Sequence, residues 1–293
     1  MFGRTGLAGL GLRLRHGARG TLLRALEEVI QPYHGEQMEQ LSREMASVRG
    51  EIQDVRTTLD HQADRLVEFI EAVEIRARRD VFAAGEREAV AEAAALVRAE
   101  MREATPFDHP RKTLHHALGL APSGGLALEF GVYTGATLGV IAEVRGDGQV
   151  YGFDSFKGLP EAWRSGFPAG AFSDTTPPSV AGAEVVAGWF DDTLPGFLSE
   201  HPGPVDFVHI DCDLYASTTT VLDHVGSRMR AGSVILFDEY FNYPGWREHE
   251  FRAWLEYATR TGTRSSYQAY TLDNEQVAIK IEGADTAGDA GAR

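Results

Sequence analysis

A carboxylate standing where an apolar strand breaks into a glycine turn is the first chemistry legible in this chain. Residues 126–130 read as a strand with Glu129 near its end, and Gly131-Val132-Tyr133-Thr134-Gly135-Ala136-Thr137 turns the chain into a helix. A second apolar run, residues 150–153, ends in Asp154, followed by Ser155. Both oxygens of that carboxylate accept hydrogen bonds, which suits the two vicinal hydroxyls of a ribose. The glycine spacing, E-x-G-x-x-x-G-x-T, is neither the G-x-G-x-x-G of a dinucleotide site nor a P-loop, because no Gly-Lys-Ser/Thr follows. An acid beside Gly131 repels phosphates and favours a ligand that carries positive charge.

A second group of acids lies at two further strand exits. One reads His209-Ile210-Asp211-Cys212-Asp213-Leu214-Tyr215 and the next Phe237-Asp238-Glu239-Tyr240. In adjacent parallel strands Asp211, Asp238 and Glu239 would crowd one small volume, where unpaired carboxylates raise one another's pKa. A hard divalent cation relieves that crowding, and oxygen ligands favour Mg²⁺ or Mn²⁺. The bland alternative gives Asp211 to a cap or a buried hydrogen bond and leaves Glu239 in solvent. Asp213 and His249 are candidate general bases by position alone. His209, inside an apolar strand, reads as a satisfied core histidine. Tyr240, Tyr243 and Trp246 lie where aromatic rings would meet an acceptor, although Trp246 serves equally well as an anchor for the helix that follows.

The glycine turn is similar to motif I of class I methyltransferases, whose cofactor is S-adenosylmethionine with its cationic sulfonium. From about residue 127 to 250 the chain resembles the macrocin O-methyltransferase family, the metal-dependent sugar O-methyltransferases. The motifs that carry the resemblance are Leu128-Glu129-Phe130-Gly131-Val132-Tyr133, Phe153-Asp154-Ser155-Phe156-Lys157-Gly158-Leu159-Pro160, Gly188-Trp189-Phe190-Asp191-Asp192-Thr193-Leu194-Pro195 and the two acidic exits. The resemblance implies S-adenosylmethionine held by Glu129, Gly131, Tyr133, Thr134, Gly135, Thr137, Asp154, Ser155 and Asp211, with Trp189 and Phe190 near the adenine. It implies a metal at Asp211, Asp238 and Glu239, the last standing where relatives often carry Asp.

The elements that must position these residues alternate between short strands and helices, as a parallel sheet covered on both faces requires. Strands are expected at 126–130, 150–153, 183–186, 205–210, 233–237 and 276–281, and helices at 137–145, 194–200, 217–229 and 248–261. Ser217 serves as an N-cap and Ala231-Gly232 as a helix stop. The expected fold is a Rossmann-like α/β sheet of the class I methyltransferase kind, with ligands beyond the carboxyl ends of its strands. Residues 163–180, rich in Gly, Pro, Ser and Thr, form either a lid or a disordered insertion, and in both cases bear on acceptor choice.

Between Pro32 and Pro106 there is no proline, and Met38, Leu41, Met45, Val48, Ile52, Val55, Leu59, Leu66, Phe69 and Val73 recur at alternating steps of three and four. That is a heptad seam with Gln62 its one polar member. A helix from 36 to 79 would extend about 65 Å. A parallel two-stranded coiled coil, hence a homodimer, covers such a stripe; the alternative is an antiparallel hairpin with residues 81–101. Arg4, Arg13, Arg15, Arg19 and Arg24 near the N-terminus make either a frayed or packed arm or a basic segment for an anionic membrane surface. The expected organisation is a basic arm (1–35), coiled coil (36–80), helical connector (81–120), methyltransferase domain (121–282) and disordered tail (283–293).

Composition sets outer limits. The 293 residues are 43% hydrophobic, enough for a sizeable core, and the net charge of -15 offers no basic field for nucleic acid. Cys212 is the single cysteine, so no disulfide forms within the chain and the reducing cytoplasm is the expected compartment. The leading expectation is O-methylation of a sugar or glycoconjugate hydroxyl on a small-molecule or glycan acceptor. Two alternatives stand beside it: a catechol or other vicinal diol as acceptor, and a coiled-coil scaffold that binds nucleoside without catalysis.

Overall fold

The computed structural model describes residues 6–146, 148–173 and 176–284, with side chains from residue 19 onward. The chain divides into two units, Met1–Arg78 and Arg79–Arg293. Unit one is a single helix, α1 (Gly6–Arg79), with Pro32 inside it. The helix therefore begins well before Pro32 instead of after it, and residues 6–35 of the expected arm lie in the same helix as residues 36–79. Leu, Arg, Ala and Glu on both sides of Pro32 are strong helix formers and carry the helix past the one missing N–H. Its seam residues are all at least half exposed, from Val73 at 50% to Met38 at 65%. No other element of unit one covers them. The arginines Arg4, Arg13 and Arg15 lie outside the described side chains.

Unit two opens with α2 (Val81–Glu100), N-capped by Asp80, whose carboxylate accepts from Phe82 and Ala83 N–H. Its small buried face, Ala83, Ala89 and Ala93, is used within this unit. There follow β1 (Thr105–Phe107), α3 (Pro110–Leu120), β2 (Leu126–Phe130), α4 (Ala136–Arg145), β3 (Val150–Asp154), β4 (Glu184–Ala187), α5 (Phe190–Glu200), β5 (Val205–Ile210), α6 (Tyr215–Val225), β6 (Met229–Phe237), α7 (Glu250–Thr261), β7 (Thr263–Thr271) and β8 (Val277–Ala284). The strands form one sheet in the order β1-β7-β8-β6-β5-β2-β3-β4. The expected α/β sheet is present, with β2, β3, β4, β5 and β6 mutually parallel where they pair.

Several expectations need correction. β8 runs antiparallel to both β6 and β7, and β1 and β7 had not been read as strands. β1 is only Thr-Pro-Phe, and the half-exposed Thr-Arg-Ser-Ser start of β7 mimics a loop. The sheet unit therefore takes in β1 and α3, placed in a connector from sequence, and Gly283 and Ala284 close β8 where a disordered tail was expected. The rest of that tail, 285–293, lies outside the described residues. Ser217 sits inside α6, whose N-cap is Leu214. Ala231 and Gly232 belong to β6, and α6 stops at Gly226, where a Cβ would fall 2.1 Å from the Tyr257 hydroxyl. Residues 155–183 form turns and irregular chain as far as they are described, in line with the expected long connection.

The pleat sends alternate residues to opposite faces. Leu126, Leu128 and Phe130 join Phe153, Val208, Ile210, Ile235 and Phe237 beneath α5, α6 and α7. Ala127, Phe207, Val234 and Leu236 meet Leu114, Ala117, Leu138 and Ile141 from α3 and α4. With both faces packed, the polar chemistry is driven to the strand ends. No described helix is long and apolar enough to cross a membrane.

Candidate active site

At the carboxyl ends of β2, β3 and β5 the chain leaves a cavity of about 370 Å³ lined by Gly131, Tyr133, Asp154, Ser155, Trp189, Phe190, Asp211, Asp213 and Glu239, among others. That is within the range of small-molecule sites. Gly131 has φ +97, and a Cβ there would lie 1.7 Å from the Asp211 carbonyl oxygen. Only glycine lets the β2 and β5 exits close on each other. Asp154 ties the third exit in: its Oδ2 accepts from the N–H groups of Val132 (3.0 Å) and Tyr133 (2.9 Å), and its Oδ1 from Phe156 N–H (2.8 Å). Three of its roughly four acceptor positions are thus taken by backbone, which holds the turn and leaves room for one ligand hydroxyl.

The other expected cofactor residues separate into two groups. Tyr133, Ser155, Trp189 and Phe190 reach the cavity, with the Lys157 ammonium 5.9 Å from the Trp189 ring. Thr134, Gly135 and Thr137 are not among its lining residues; Gly135 is the left-handed N-cap of α4. Glu129 does not reach it either. Its side chain is fully buried, and Oε1 stands 2.9 Å from His209 Nδ1.

The acids converge as their spacing predicted, with one change of membership. His209, Asp211 and Asp238 place one ligand atom each within 4.8 Å of one another, and His209 Nε2 stands 3.5 Å from Asp238 Oδ1. His209 is buried, as a core histidine should be, yet it faces the acids on both sides. Burial alone would lower its pKa; Asp238 and Glu129 outweigh burial and raise it well above the usual value. Burial also favours the neutral form of Asp238, but the hydrogen bond and charge of His209 bring its pKa below the ordinary range. Asp211 and Glu239 go the other way, pushed well up by burial and then by Asp238. Glu239 Oε2 is buried without a partner, while the Glu239 N–H donates to Glu250 Oε2 at 3.1 Å.

A buried acid elsewhere shows what compensation looks like. Asp206, at the opposite end of the sheet, receives Gly125 N–H at 2.7 Å and Arg230 at 2.9 Å, with Arg145 3.8 Å away. At the cavity wall Arg164 is, among the described residues, the one cation against Asp154, Asp211, Asp213 and Glu239, and behind the wall His209 alone stands against the buried Glu129 and Asp238, with Glu250 next to Glu239. That excess of oxygen donors, with an orphaned carboxylate oxygen among them, fits a divalent cation.

Asp213 lines the cavity in a left-handed conformation, φ 62. Burial raises its pKa to about 7, against the opposing charge of Arg164. His249, the other candidate base, is not a lining residue; it is half-buried at the start of α7, and burial lowers its pKa. Two expected acceptor residues belong to the core. Tyr240 is fully buried with its hydroxyl 2.8 Å from that of Tyr267, and Trp246 packs on Phe251 at 4.6 Å as a helix anchor. Tyr243 is buried behind Trp163, their rings 5.7 Å apart, and is likewise not part of the cavity wall.

The sequence had not pointed to Arg164. Its guanidinium lies 4.0 Å from the Trp163 ring and 4.6 Å from Tyr243, and pairs with Glu275 at 2.8 Å. It pins the irregular segment to the chain before β8 and, with Trp163, Phe167 and Phe172, walls the cavity. Nothing local in the sequence announces a pairing over so long a separation.

A mostly parallel α/β sheet with a glycine turn, an acid at the next strand exit and a shared cavity has the layout of a nucleoside-cofactor site. Residues 128–240 match the family model described as a methyltransferase domain. A curated relative, the 8-demethyl-8-(2,3-dimethoxy-alpha-L-rhamnosyl)-tetracenomycin-C 4'-O-methyltransferase of Streptomyces olivaceus, is 40% identical over 53 residues. That match spans 18% of this chain and 19% of the relative. Among solved structures, the calicheamicin methyltransferase CalS11 aligns with a TM-score of 0.45 at 24% identity, covering 58% of this chain and 76% of that one. The O-methyltransferase NovP aligns at 0.43 and 20% identity, covering 60% and 78%.

Proposed function

We propose that this protein is an S-adenosylmethionine-dependent O-methyltransferase, assisted by a divalent cation, that methylates a hydroxyl of a sugar or glycoconjugate. The observation that carries the reading is the meeting, in one cavity, of the Gly131–Asp154 turn with an undercompensated set of acids. The Streptomyces olivaceus relative supports a sugar as acceptor, since by its name it is a 4'-O-methyltransferase of a rhamnosyl-tetracenomycin.

When bound, S-adenosylmethionine supplies the electrophilic methyl, and Mg²⁺ or Mn²⁺ lowers the pKa of the hydroxyl to be methylated. Asp211 and Asp238 would hold the cation, with His209 or Glu239 as third donor. Glu129 fixes the His209 ring through Nδ1, the outer-shell support a ligating imidazole commonly has. Asp154 offers its remaining acceptor position to a ribose hydroxyl, and Trp189 and Phe190 present apolar faces to a base. Asp213 takes the acceptor's proton: it lies in the cavity, and a carboxylate titrating near 7 is suited to general-base work at neutral pH. Trp163, Phe167 and Phe172 exclude water and present ring faces to the acceptor.

The test is calorimetric titration with S-adenosylmethionine and then Mg²⁺, on the parent chain and on Asp154→Ala and Asp238→Ala. Micromolar cofactor binding lost in the first variant, with metal binding lost in the second, supports the reading and justifies a screen of sugar and catechol acceptors. Absence of cofactor binding by the parent chain removes it and leaves the scaffold.

A further inference from the structure

We propose that α1 pairs with a second copy of itself as a parallel, in-register two-stranded coiled coil, with Glu44 and Glu51 of each chain facing Arg49 and Arg56 of the other. The inference rests on α1 alone and is independent of the methyltransferase reading.

The seam places Met38, Met45, Ile52, Leu59, Leu66 and Val73 at heptad position a, and Leu41, Val48, Val55, Gln62 and Phe69 at position d. All the apolar members are at least half exposed. A period of 3.5 residues, sustained over five heptads, specifies a supercoiled helix as the partner, since other apolar surfaces do not repeat at that spacing. From 38 to 73, with four of every seven positions in contact, each chain contributes about 20 residues, the size of a stable interface.

The flanking charges identify the occupant and its direction. Positions g hold Glu44 and Glu51, and positions e hold Arg49 and Arg56. In a parallel in-register pair each g residue faces the partner's e residue five positions further on, so Glu44 meets Arg49 and Glu51 meets Arg56, twice over by symmetry. An antiparallel pair sets e against e instead, and puts Arg56 beside its own copy at the middle of the seam. Gln62 agrees with the parallel arrangement. It meets its own copy, and the two amides can donate to and accept from each other; the antiparallel arrangement buries each against an apolar neighbour. Upstream, Leu23, Leu26, Ile30 and Tyr33 continue the stripe, but the step from Tyr33 to Met38 is five residues instead of four. The break falls beside Pro32, so the continuous register begins at Met38.

The experiment is sedimentation equilibrium of the full chain at about 10 μM. The expected mass is twice 32.0 kDa. Val48→Glu with Val55→Glu should return it to one chain, with the melting of the sheet unit unchanged as proof that the variant is folded. Glu44→Arg with Glu51→Arg, and separately Arg49→Glu with Arg56→Glu, should each weaken dimerisation at least tenfold, and mixing the two variants should restore it. For direction, Gln62→Cys should oxidise to a covalent dimer, cleanly because the one native thiol, Cys212, is buried. A monomeric parent chain, or a trimer or tetramer mass, overturns the proposal. So does a dimer that ignores the seam charges, or one in which Gln62→Cys fails to cross-link.

Discussion

Gly131→Ala separates two kinds of backbone demand and ties both to the cavity. A side chain at φ +97 adds strain of roughly 1–2 kcal/mol. The new Cβ would also stand 1.7 Å from Asp211 O, a backbone atom that cannot rotate away. Relief requires the β2 and β5 exits to part, which breaks the bond from Asp211 N to Phe130 O, 2.9 Å long. A buried backbone group left unpaired costs roughly 1–3 kcal/mol. The sum, roughly 2–5 kcal/mol, lowers the melting temperature of a unit of this size by on the order of 10 °C. Gly146→Ala is the control: φ is +60 and nothing lies within 4 Å, so only the strain remains, about 1–2 kcal/mol. Calorimetry and chemical denaturation of both variants, with cofactor titration of each, make the comparison. Gly131→Ala should be the less stable by at least about 1 kcal/mol and should alone lose cofactor affinity. Equal stability of the two variants would refute the argument that close approach of the strand exits, and not φ alone, demands glycine.

Asp213→Asn should lower kcat by roughly 10²–10⁴ while leaving the cofactor Kd unchanged, as expected for loss of a general base; a parental rate removes it from that role. Asp211→Asn and Asp238→Asn should each weaken Mn²⁺ binding, followed by electron paramagnetic resonance, by at least roughly tenfold, and unaltered affinity in both would dismiss the cation site. Tyr240→Phe should destabilise the fold by about 1 kcal/mol without moving the KM for any acceptor found; a change in KM would return Tyr240 to the acceptor site. His249 gives a pH effect whose sign follows from burial. Its folded pKa lies below 6.5, so the unfolded chain binds the proton more readily, and stability present above about 6.5 is lost as the pH falls. His249→Asn should flatten that slope in urea midpoints measured from pH 7 to 5; an unchanged slope assigns it elsewhere.

The strands that build the cavity were legible because burial on both faces demands unbroken apolar runs, as in Leu126–Phe130 and Val205–Ile210. The edge elements were not. β1 is three residues long, and β7 begins among polar residues, so each is recognisable only from its neighbour in the sheet. Asp154, Asp211 and Asp238 were legible as strand-exit acids because their position follows from strand length alone. Trp246 and Tyr240 illustrate the opposite: an aromatic residue looks the same in a wall and in a core until its neighbours are known.

What the amino-acid sequence determined by itself is whatever depends on short-range order along the chain: the sheet-forming runs, the glycine turn, the acids at the exits and the heptad seam of α1. Tertiary structure alone decided which side chains share a volume. It put His209 between Glu129 and Asp238, turned Glu129 away from the cavity, brought Arg164 to Glu275, and left Asp213 in the cavity and His249 outside it. These are pairings across strands or across long loops, and their distances are set by register and by how the helices pack. Local residue types carry no record of either.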